Sequence, residues 1–242
     1  MKKLRKAVAL LLVLAMALSL SACGKSDVIG TWECRLDMKD ELVETVDNIL
    51  TAYDAILSEG RQMPRLADYV DDFSLKYTMV FNEDGTYSAG IDAADRQNTM
   101  DNLKASVTEY FNDFFFVLLV ETLVQMGMDQ EINSVEDLEA LMGVSMDEAI
   151  SEALGIDMNS YVDMVLSGSL DTYLSEDAFS SEGNYKTKDG RLYLSNGLDG
   201  EIFDEVYDPY TVEGDTLTIT AGPAGIASDM KEFYPLVLNK VA

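Results

Sequence analysis

Histidine is absent from all 242 residues. Without it there is no imidazole base, no histidine-containing catalytic triad and almost no route to a zinc site. Phosphate-binding glycine loops of the G-x-x-x-x-G-K-[ST] or G-x-G-x-x-G type are missing too. Basic residues are scarce, 17 against 44 acidic ones, so nucleic acid and anionic lipid surfaces repel the chain and a nucleic-acid partner is excluded. Only two cysteines occur, Cys23 and Cys34, too few for a disulfide framework. The N-terminal apolar run, residues 7–18, falls short of the roughly 20 residues a spanning helix needs.

What is present begins with that run. Lys2, Lys3, Arg5 and Lys6 precede it, and small residues follow it, the layout of a secretory signal. Leu20, Ser21, Ala22 and Cys23 then stand in order. This stretch resembles the lipobox of bacterial lipoproteins. The resemblance implies that residues 1–22 are a signal peptide, that Cys23 carries a thioether-linked diacylglyceryl group, and that it becomes the mature N-terminus. Two acyl chains suffice for stable anchoring. The implied location is the outer face of the cytoplasmic membrane, or an outer membrane if the host has one, with the membrane itself as a partner through Cys23. Residues 1–22 hold four basic residues and no acidic one, so the mature chain carries a formal charge of −31. Residues 23–27 form a short lipidated tether.

Period-two alternation starts at once. Trp32, Cys34, Leu36 and Met38 share one side of residues 31–38, a half-buried strand that points Cys34 inward. Residues 40–59 switch to spacings of three and four through Leu42, Val46, Ile49 and Tyr53, an amphipathic helix that Gly60 can stop. A short helical turn is expected near residues 66–70. Phe73, Leu75, Tyr77, Met79 and Phe81 then alternate into the acidic turn 82–85, and Tyr87, Ala89 and Ile91 continue on the return strand. That turn lacks the ligand spacing of a calcium loop.

Residues 93–181 read as a helical insertion. A long helix opens at Thr99 or Asp101 and runs to Met126, apolar all round at residues 114–120. Ser134 and Ser145 look like helix starts, Gly143 and Gly155 like stops, and a last helix covers residues 158–174. The many methionines here fit either a packed core or an adaptable binding surface. From residue 182 the chain returns to strands: a hairpin over 185–194, another over 210–220, and a closing strand within 233–241.

Gly30-Thr31-Trp32 at the first strand, followed by these hairpins, resembles the lipocalin and fatty-acid-binding superfamily, and especially lipocalin-like domains of bacterial lipoproteins. The resemblance covers residues 28–92 and 182–242. It implies an α+β chain: an antiparallel barrel of about eight strands interrupted by the helical insertion, with Trp32 as a structural plug at one barrel end. The closing strand carries no arginine to pack over that tryptophan. Tyr77, Met79, Phe81 and Tyr87 are the candidate ligand-facing residues.

Two roles follow: binding of a small apolar or amphipathic ligand, or a non-catalytic scaffold for protein interactions in the cell envelope. Carboxylate pairs such as Asp204/Glu205 or Asp199/Asp208 invite an enzymatic reading, but no spacing selects one pair among 44 acids. No catalytic residue, metal or cofactor is nominated.

Overall fold

A computed structural model describes residues 26–58, 61–128, 132–174, 179–222 and 228–241. The lipobox residues Leu20, Ser21, Ala22 and Cys23 lie outside the described residues. Eight strands close into an antiparallel barrel in chain order. They are β1 (Gly30–Asp37), β2 (Ser74–Phe81), β3 (Thr86–Ile91), β4 (Ser181–Lys188), β5 (Arg191–Leu194), β6 (Asp208–Glu213), β7 (Thr216–Ile219) and β8 (Leu236–Lys240). Among the described residues five α-helices accompany them: α1 (Lys39–Leu50), α2 (Ala93–Gln125), α3 (Val135–Met142), α4 (Met146–Leu154) and α5 (Met158–Leu174). The α+β barrel with a helical insertion expected from the sequence is therefore the observed fold. None of these helices is long and apolar enough to cross a membrane.

The chain divides into two compact units. The first holds the described residues through Cys34, Thr78–Ala89 and the described residues from Ser181 on. Its strands follow the alternation: on β2 and β3, Met79, Phe81, Tyr87 and Ala89 are buried, and on β7 and β8, Leu217, Ile219, Leu236 and Leu238. Antiparallel register is explicit, with Tyr185 opposite Leu194, Tyr210 opposite Ile219, and Leu217 opposite Leu238. The seam that closes the barrel is short, with Trp32 opposite Lys240 and Glu33 opposite Asn239.

The second unit holds Arg35–Tyr77 and Gly90–Ser180. Its longest element, α2, starts at Ala93, two turns before the Thr99 or Asp101 expected from periodicity. Asp92 caps it by accepting from the Asp95 amide at 2.8 Å. The first two turns are mostly polar, so apolar spacing could not mark them. Ser134 and Ser145 do cap α3 and α4, accepting from Asp137 and Glu148, and Gly143 and Gly155 end them with φ of 76° and 74°. The residues past α1 tighten into a 3-10 helix, Thr51–Ile56, where a continuous helix was expected. Phe111 and Phe115 of α2 meet Tyr161 of α5 edge-on at 5.1 and 5.8 Å, which builds the unit's aromatic core. Arg35 donates to Ser74 Oγ and the Ser74 carbonyl and pairs with Asp95 at 3.0 Å, tying β1, β2 and α2 together inside this unit.

Candidate functional site

Alternation on β2 and β3 turns the four candidate ligand-facing side chains inward. Tyr77, Met79, Phe81 and Tyr87 are only 1–4 % exposed. In the first unit Phe81 stacks on Tyr87 at 6.3 Å between ring centroids and meets Tyr185 edge-on at 5.0 Å. The polar tips are satisfied by backbone. Tyr87 Oη donates to the Ser195 carbonyl at 2.9 Å, and Tyr185 Oη to the Asn82 carbonyl at 2.9 Å. Burial, the main cause, raises the pKa of both hydroxyls. Met79, Phe81 and Tyr87 thus lie with Tyr185 in a packed interior. Tyr77 lies on the same strand, in the part belonging to the second unit. Tyr185 and Ser195 were not singled out from the sequence; the structure buries Tyr185 on β4 beside Gly183.

Trp32 is fully buried, and its Nε1 donates to the Val28 carbonyl at 2.6 Å. Lys240 lies over the ring, its ammonium 5.1 Å from the centroid. That lysine stands where the closing strand lacks an arginine. The geometry also explains Gly30-Thr31-Trp32. Gly30 has φ of 133°, and a Cβ there would approach Lys240 Cε to 2.9 Å. The flexible lysine stem can yield to such a Cβ, so it is the positive φ that favours glycine here.

Beside this end of the barrel an open cavity of about 340 Å³ is lined by Ser26, Ile29, Glu83, Gly85, Tyr185, Lys186 and Thr187. Among the four candidate residues none lines it. Two bonds fix the chain at its rim. Ser26 Oγ and Thr187 Oγ1 are 3.0 Å apart, and Tyr210 Oη donates to Asp27 at 2.7 Å. Burial, with that bond to Asp27, pushes the Tyr210 hydroxyl up to about 12. Lys186 pairs with Asp204 and lies over the Tyr193 ring.

Other polar groups are structural in their geometry. Asp208 is buried and accepts from the Gly222 amide at 2.8 Å; desolvation raises its pKa, against that bond. In the second unit Glu121 is 2 % exposed. Hydrogen bonding from Ser58 at 2.6 Å, then Gln125, with Arg61 at 4.0 Å, holds its carboxyl below the usual range. Cys34 is half-buried rather than fully inward, and burial pushes its thiol up to about 11. Among the described residues no group of three or more acids or cysteines is placed to hold a metal ion. Compared with known proteins, the chain matches no family model, no curated protein and no solved structure.

Proposed function

We propose that the chain is a lipid-anchored lipoprotein of the bacterial cell envelope. Its lipocalin-like barrel is a non-catalytic scaffold that engages an envelope partner through its surface. The observation that carries the scaffold reading is the filled interior: Tyr77, Met79, Phe81 and Tyr87 are nearly inaccessible, and the Tyr87 hydroxyl is spent on a backbone carbonyl. Ligand sites are usually largely pre-formed, so a barrel that stores a ligand is expected to leave part of such a face uncovered. The anchor rests on the residues leading to Cys23. Its test is fatty-acid labelling of the expressed chain, with label expected on the parent and lost in Cys23→Ala.

For the scaffold, photo-crosslinkers are placed at exposed positions of the intact chain in cells, one at a time. Discrete protein adducts at a few positions are the expected result. A uniform absence of adducts overturns the reading.

A second reading, binding of a small amphipathic ligand, is favoured by the open cavity at Ser26 and Tyr185, whose volume reaches the lower range of ligand pockets. Solvent extraction of the chain purified from membranes tests it. A stoichiometric small molecule that is lost in Thr187→Trp but kept in Tyr87→Phe would place ligand binding in that cavity and replace the scaffold reading.

A further inference from the structure

The hairpin turns of the barrel gather at one end. The Tyr185 amide donates to the Gly85 carbonyl at 2.7 Å, which sets the β2–β3 turn close to the tip of β4. At that tip Lys188 pairs with Arg191. The Tyr210 amide donates to the Gly190 carbonyl at 2.9 Å, and β6 continues past it to the β6–β7 turn. The Lys240 amide reaches the Asp215 carbonyl in that turn, and the Val241 amide reaches the Thr31 carbonyl, so β8 ends and β1 begins here as well.

The described chain starts at the same end and is held on two sides. Ser26 is tied to Thr187 and Asp27 to Tyr210. Cys23 lies three residues before Ser26. A chain extends at most about 3.6 Å per residue, so a lipid on Cys23 stays within roughly 11 Å of Ser26. We infer that the hairpin end of the barrel is its membrane-facing end, with the polar surface of the lipid bilayer as its partner. The inference rests on the lipoprotein reading above.

Charge agrees with this orientation. Lys188, Arg191 and Lys240 stand at the hairpin end, while Lys186, farther along β4, is paired with Asp204. The first three interleave with the turn carboxylates and bring this end closer to balance than a mature body of formal charge −31. Of the described residues between β7 and β8, at the other end, one is a cation, Lys231. An anionic bilayer repels the body as a whole and repels this end less than the mean charge of the body implies. Strand β4 has eight residues, about 26 Å at 3.3 Å each, so its start stands well away from the surface that its tip faces.

The test uses the full-length chain, processed in cells, purified from membranes and reconstituted in phosphatidylcholine–phosphatidylglycerol vesicles carrying a headgroup nitroxide. A fluorophore is attached in turn to Lys188→Cys and Asp215→Cys at the hairpin end and to Glu182→Cys at the start of β4. The parent chain controls for Cys34. Quenching about threefold or more stronger at positions 188 and 215 than at 182 is expected. Equal quenching at all three, or stronger quenching at 182, in protein whose mass includes the diacylglyceryl group overturns the orientation and leaves the anchor standing. A mass without that group overturns the anchor, and the orientation with it.

Discussion

Single residues here do work that their neighbours define. Trp32 is buried completely, under Lys240 and over the Val28 carbonyl. Trp32→Ala should cost about 3–5 kcal/mol in urea unfolding followed by circular dichroism, since it empties the largest packed side chain. Lys240→Ala should cost only about 0.5–1 kcal/mol, the range of an exposed cation–π contact. Cys34 supplies a pH signature. Its thiol is raised from 9.0 to about 11 in the fold, so the unfolded chain ionises first. The contribution is complete below pH 9 and is lost as pH rises through 11. Alkaline unfolding series of the parent and Cys34→Ala should therefore diverge in slope across that window, with the parent falling faster. Asp208 has the same sign at the acidic side. Burial raises its pKa, so stability falls as pH rises beyond the ordinary carboxylate value, and Asp208→Asn, which keeps an acceptor for Gly222, should flatten that fall.

At the level of elements, caps govern the short helices. α3 and α4 have eight and nine residues, lengths that are marginal in isolation. Ser134→Ala and Ser145→Ala should each cost about 1 kcal/mol. Gly155→Ala should also destabilise, because φ there is 74° while no atom crowds the added methyl; loss of helicity on mild heating checks all three. The same elements mark what could be read in advance. Ser134, Gly143, Ser145 and Gly155 were legible because capping chemistry is local. The strands 74–81 and 216–219 were legible because alternation with a period of two survives in a barrel wall. The first turns of α2 were not, since Ala-Ala-Asp-Arg-Gln carries no apolar stripe and its cap, Asp92, ends a strand-like run. Nor was the start of β6, where Pro209 reads as a breaker yet takes an edge of the β5 register. The candidate interior face was legible from β2 and β3 alone, but its packing depends on Tyr185 and Ser195, distant in sequence and brought to it by the pairing of β4 with β3 and β5.

For the whole molecule, charge and closure dominate. A chain with 44 acidic and 17 basic residues repels itself, and salt screens that repulsion. Raising sodium chloride from about 20 mM to 0.5 M should increase the melting temperature; a fall would show that the ion pairs at Arg35, Arg65 and Lys104 outweigh the repulsion. Closure has a further consequence. The seam joins β1, the first of the described strands, to β8, the last, through Trp32 and Lys240. A chain made from its N-terminus delivers β1 first; β2 can pair with one edge of it, but the other edge waits for the final strand. During that interval β1 keeps a bare edge and an uncovered indole, the kind of surface that invites pairing with other chains. The time spent in that state is set by how long the intervening helices and hairpins take to emerge, so the order of synthesis sets an exposure that the finished barrel's stability does not measure.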